Sequence, residues 1–168
     1  MNYKQKAREL GDVEKIMEWV RNNIKYQLVP FISTKRTLKV KEGMCWAKTD
    51  VAVKMCRELE NVEKACYVRA KIKEIIPRLN FPPFHCHPRI YFKNGEYKNY
   101  EISIDDEAIE CEILPHGWES IDIKEYEKIP ILWRIAILLY FFFIRLARRL
   151  DFYIRLRRAA CKSNQLHT

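Results

Sequence analysis

Of the side chains in this sequence that can attack a carbonyl, Cys45 has the most telling neighbours. Gly43 and Met44 precede it, and a broad apolar stripe at helical spacing follows: Ala47, Val51, Ala52, Met55, Cys56 and Leu59. The cysteine therefore falls at the N-terminal end of a mostly buried helix, with the glycine permitting a sharp entry. A thiol attacks as its thiolate, and a helix N-terminus and a nearby imidazolium both favour that anion. Backbone N–H groups of the first turn are placed to receive an oxyanion. A base must come from elsewhere in the chain. Only four histidines exist; His116 lies beside a Pro/Gly turn and His167 sits in the tail. His85 and His87 are two apart on one strand and face the same way, so one of them is the natural partner.

A third group would orient the imidazole by accepting its other N–H. Glu101 lies on the return strand of a hairpin centred on Asn94-Gly95. With a two-residue turn Glu101 faces away from both histidines. With a three-residue loop and a glycine bulge it comes to their face, opposite His87. Asp105, near the strand end, is the other acidic candidate. Trp46 reads as a core or cleft-wall aromatic beside the thiol.

The elements that must hold these groups can be read from periodicity. Asp12 caps a helix over residues 12–26, with Val13, Ile16, Met17, Val20 and Ile24 on one face. A short helix over 33–40 is entered by Ser33 or Thr34. Residues 65–72 read as a strand, followed by a connection bearing Pro77, Pro82 and Pro83. Two strands, 85–92 and 96–104, make the hairpin, and residues 105–127 read as acidic and irregular. The expected class is α+β, with N-terminal helices packed on a small antiparallel sheet.

The chain has 168 residues, enough for one domain with a real core. Its 31 Lys+Arg against 22 Asp+Glu give a formal charge of +9, which suits an anionic partner. The polar start, Met1 to Lys6, reads as no signal peptide, so a cytoplasmic setting is expected in which all six cysteines are free. No CxxC pair occurs, and Cys86 between His85 and His87 is too short a cluster for a zinc site.

Several runs together resemble a transglutaminase-like domain: Trp19 to Tyr26, Thr37-Leu38, Glu42-Gly-Met-Cys-Trp-Ala-Lys48, Arg57 to Leu59, Ala65 to Val68, His85 to Tyr97, and Tyr100 to Ser103. The likeness covers about residues 12–104. It implies a papain-like α+β core with a Cys-His-acid triad and needs no metal or organic cofactor. Carried over by motif, the nucleophile falls on Cys45, the histidine on His85 and the acid on Glu101, while His87 takes a position usually aromatic. Two departures stand out: the family's Asp is here Glu101, and Arg89 stands where a Glu is common. The implied activity is that of a cysteine protease, amidase or acyltransferase acting on a peptide or protein amide. A non-catalytic binding or scaffold module at a membrane is the alternative.

The end of the chain changes character, which divides it into a domain over 1–127 and an apolar, then Arg-rich, helical segment over 128–168. Residues 135–144 are uncharged and bracketed by Arg134 and Arg145. As helix this run spans only about 15 Å, half a bilayer core. The basic residues that follow, Arg145, Arg148, Arg149 and Arg155 among them, suit an anionic lipid surface. An interfacial helix over 129–158, at the inner face of a membrane, is the expectation; its rival is a helix folded back on the core. No nucleic-acid-binding module accompanies the basic tail, so nucleic acid is a poor match.

Overall fold

The computed structural model describes residues 2–27, 29, 33–72, 84–111, 120–135, 139 and 152–161. Helix α1 (Tyr3–Leu10) is capped by Asn2 and closes on Gly11, which takes the left-handed conformation (φ 65°). Helix α2 (Val13–Asn23) starts where Asp12 accepts a hydrogen bond from Lys15 N, and it buries Val13, Ile16, Met17 and Val20. Strand β1 (Lys25–Tyr26) pairs in parallel with β2 (Glu42–Gly43) across the short α3 (Thr34–Val40). Helix α4 (Cys45–Cys56) is buried along its length except at Lys54. A helix apolar on all sides has to be enclosed, and here α1, α2, α3 and the main sheet all pack against it.

That sheet is mixed with the helices in the α+β manner. It comprises β3 (Val62–Ile72), β4 (Phe84–Phe92), β5 (Tyr97–Asn99) and β6 (Ser120–Tyr126), in the antiparallel order β5-β4-β3-β6. Ala65, Tyr67, Cys86 and Ile90 join α4 residues in one core cluster, and Thr49 Oγ1 donates to the Cys86 carbonyl at 3.0 Å. The hairpin takes the three-residue option. Tyr91 pairs with Tyr97, Phe92 N donates to Glu96 O, and Gly95 carries the positive φ (86°) of a bulge. Gly43 stands at the entry to α4, two residues before its first residue. A Cβ there would meet the Ala47 Cβ at 2.9 Å, so glycine lets β2 lie tight against the first turn of α4.

Residues 105–127 are not irregular throughout. Asp105 caps a helix, α5 (Asp106–Glu110), and β6 adds an edge strand. The proline-bearing connection, with Pro77, Pro82 and Pro83, lies outside the described residues, as do His116 and His167.

The described parts of the tail pack onto the core rather than standing apart. Ile129 belongs to the main core cluster. The helix over 152–161 turns Ile154 inward against Ala108 and Cys111. Arg158 makes a two-pronged, buried ion pair with Asp105, at 2.9 and 2.8 Å. Arg155 pairs with Glu42 in the same two-pronged way. Arg145, Arg148 and Arg149, with most of the uncharged run, lie outside the described residues. The expectation of six free thiols is also corrected. Cys111, ending α5, is disulfide-bonded to Cys161, because the two helices dock with their Cα atoms 5.7 Å apart. Cys45, Cys56, Cys66 and Cys86 are free. Among the described residues no helix is long and apolar enough to cross a membrane.

Asp105 also accepts from Tyr26 N at 2.6 Å and Ala108 N at 3.0 Å, so it joins β1, α5 and the tail helix. Removing Arg158 would leave a buried carboxylate without its counter-charge, which costs about 3–5 kcal/mol. Arg158→Ala is therefore expected to lower unfolding stability by that amount in urea titrations run with the disulfide intact.

Candidate active site

Cys45 is the first residue of α4, whose first helical bonds run from Ala47 N and Lys48 N to Met44 O. No side chain caps this end, so the N–H groups of the first turn lie at the sulfur with no side-chain oxygen on them. Cys45 is buried but retains 6% exposure. Its side chain lies against His85 and favours the charged form of that ring. The ring's Nε2 lies 2.5 Å from Glu101 Oε2.

Three elements bring this about. The α4 start supplies the thiol, β4 the imidazole, and the chain just past β5 the carboxylate. The glycine-bulged loop sets the phase of the return strand, and Asn99 stands opposite Arg89. Tyr100 N still donates to Pro88 O at 3.1 Å, so the backbone is in place when it reaches Glu101. The longer glutamate side chain then reaches diagonally, past the position opposite His87, to His85. Its second oxygen, Oε1, accepts from Ser103 N at 2.8 Å.

The electrostatics separate the two histidines. Burial pulls the His85 pKa down, but the bonds its protonated ring can donate to Cys45 and Glu101, with the Glu101 charge, outweigh it, and the value rises from 6.5 to about 10. Burial acts to raise Glu101, yet the bond and charge of His85, with Ser103, bring it down to about 2. His87 goes the other way: burial lowers it, and the charge on His85 lowers it further. Its Nε2 is 3.3 Å from Asp122 Oδ1 without hydrogen-bond geometry. The two rings lie 5.8 Å apart between centroids, and these influences favour the proton on His85 over His87.

Asp105 does not orient an imidazole, because Arg158 and two backbone N–H groups occupy its oxygens. Trp46 is buried and stacks on Trp133 at 5.7 Å, with the Arg69 guanidinium 4.1 Å from the far ring's centroid. Trp133, overlooked in the sequence, brings the tail to the residue next to the thiol. Lys48 was overlooked as well. It lies in the apolar stripe of α4 three residues after Cys45, and it is fully buried. Cys86 points away from its histidine neighbours, and among the described residues no three His, Cys, Asp or Glu side chains converge as a metal-binding set.

A scan of family models found no match to this chain, and neither the curated proteins nor the solved structures yielded a similar one.

The directions of these shifts set the pH response. His85 stabilises the fold fully below about pH 6.5, and this contribution is lost as pH rises through about 10. Glu101 contributes above about pH 4.5 and loses its contribution as pH falls towards 2. Glu101→Gln removes the charge and keeps the size. In an NMR titration it is expected to bring His85 down towards 6.5, with His87 moving up as its neighbour's charge becomes easier to remove.

Proposed function

We propose that the protein is a thiol enzyme of transglutaminase-like, papain-type layout that cleaves or transfers amide acyl groups through Cys45. The observation that carries this reading is that His85 is bonded to Glu101 while it lies against the sulfur at the start of α4. A thiol at a helix mouth, a histidine on the sheet and a carboxylate on the neighbouring strand form the arrangement that the sequence resemblance implies. Glutamate in place of aspartate is accommodated by its extra reach.

The chemistry follows from the geometry. The sulfur attacks the amide carbonyl carbon, and a C–S bond forms as the oxygen takes the negative charge. The free N–H groups at the start of α4 stabilise that oxyanion. His85, holding a proton, gives it to the leaving nitrogen as the C–N bond breaks. A thioester on Cys45 remains. Water or an amine attacks it, His85 takes the proton, and the C–S bond breaks to return the sulfur. Glu101 keeps the ring in one orientation and balances its charge in both steps. Of the three groups only Glu101 is well exposed, at 46% of its side chain, so the site opens on that side.

Iodoacetamide labelling tests this reading without a known substrate. At pH 6, where an ordinary thiol of pKa ~8.5 is almost wholly protonated, Cys45 is expected to alkylate at least about tenfold faster than a model thiol. His85→Ala should abolish the advantage. A wild-type rate equal to the model thiol's would exclude the enzyme reading.

The tail supports a location for the site. The helix over 152–161 is fixed by its inner face, but Phe152, Tyr153 and Leu156 stand exposed beside Arg157. Ile131 and Leu132 are exposed near Arg134. Apolar and basic groups side by side suit an anionic lipid surface. Vesicles containing anionic phospholipid should float the protein and neutral vesicles should not. Phe152→Ser with Leu156→Ser should weaken the effect; flotation unchanged by these substitutions would remove this face from the reading.

A further inference from the structure

Lys48 sits on the cysteine helix, one turn beyond the sulfur, with none of its surface exposed. A buried ammonium normally lies against a carboxylate, but this one does not. Its Nζ donates to two backbone carbonyls, Arg21 O at 2.9 Å and Ser103 O at 3.1 Å. Arg21 is in the last turn of α2, where a cation suits the helix end. Ser103 is the residue whose N–H holds Glu101 Oε1. The same short segment is bound a second time to α2, since Arg21 Nε donates to Ile104 O at 3.1 Å.

We propose that Lys48 is a positioning residue of the thiol site: by holding the Ser103 carbonyl from within the cysteine helix, it fixes the Glu101 carboxylate against His85. The proposal rests on reading Cys45, His85 and Glu101 as a thiol site, and it adds the link that ties the acid to the nucleophile's own helix. Cys45 and Lys48 then move as one body, and Lys48, Ser103 and Glu101 follow. The charges facing Lys48 are Asp105 and Glu101, which favour its proton, and Arg158 and Arg21, which oppose it. Burial is the largest influence and brings its pKa down to about 7. The tether survives loss of that proton, because a neutral amine keeps two N–H bonds and there are two carbonyls to receive them.

Simple helix capping is the rival role, and one shift separates the two. Lys48→Met keeps the length of the stem and removes both donors and the charge. Lys48 is already neutral where His85 titrates, so loss of a helix cap alone would leave the His85 pKa where it is. Loss of the Glu101 alignment would lower it. NMR titration of Lys48→Met is therefore expected to show the His85 pKa falling from about 10. A value unchanged or higher overturns the proposal.

A double-mutant cycle on Cys45 alkylation at pH 6 gives the second reading. Lys48→Met should slow labelling about tenfold in the wild-type background and less than about twofold in the Glu101→Gln background, because the lysine acts through the carboxylate. Equal losses in both backgrounds, or none in either, overturn it. Should Lys48→Met not fold, Lys48→Gln retains a donor and is put through the same cycle. A wild-type protein labelled no faster than a model thiol removes the thiol site itself and the role of Lys48 with it. A reactive wild type with no response at Lys48 removes only the positioning role.

Discussion

A charged carboxylate and a charged imidazole, 2.5 Å apart at Glu101 and His85, are the interaction on which the rest of the arrangement depends. The imidazole is almost wholly buried, and burial alone would strip its proton. The carboxylate reverses that outcome from a half-exposed position, where water still solvates it. Placing the acid at the edge and the base inside gives a protonated ring beside the sulfur without leaving two charges in the interior. His87 shows the outcome when the carboxylate contact is weaker, since Asp122 lies 3.3 Å away and burial and the His85 charge prevail. It lies on the same face of the same strand, equally enclosed, and its proton is disfavoured.

Holding a half-exposed carboxylate on a buried ring requires a rigid backbone behind it. Residues 101–106 have no long strand to anchor them, and the fold fixes them by side chains instead. Lys48 and Arg21 bind the carbonyls of Ser103 and Ile104, Arg21 pairs with Asp106, and Arg158 and Tyr26 N hold Asp105. Buried ion pairs are poor sources of net stability but strong sources of fixed position, since each becomes costly once one member is lost. The tail helix takes part through Arg158 and through the bridge from Cys111 to Cys161. The C-terminal segment thus belongs to the support of the candidate site, while Phe152, Tyr153 and Leu156 stand exposed.

Much of the local structure was legible in the residues themselves. Asp12 with its apolar face marked α2, and the stripe after Gly43 marked α4 with its thiol at the start. The juxtaposition of Cys45, His85 and Glu101 was legible only as alternatives. Asn94-Gly95 fits two loop lengths, and the choice rests on the pairing of Phe92 with Glu96. The stripe also contained an unread signal. Lys48 and Asp50 fall inside a helix with no polar face, so each needs a buried partner. Lys54, one turn on, pairs with Asp50, but the other partners lie 55 residues from Lys48 at Ser103 and 17 from Asp50 at Tyr67, beyond the reach of helical periodicity. Residues 105–127 looked irregular because α5 is a single capped turn or so and β6 leaves Ile121 and Ile123 exposed on an edge. Nor does spacing show that Cys111 and Cys161, 50 positions apart, are brought together by two docking helices.

The central claim is that one sulfur of the four free thiols is made a nucleophile by a histidine. Intact-mass analysis after brief mixing with an activated acyl ester tests it most directly. One acyl group is expected, located on Cys45 by peptide mapping, released by hydroxylamine and absent from His85→Ala. Acylation that is missing, or spread without preference over Cys45, Cys56, Cys66 and Cys86, would contradict it.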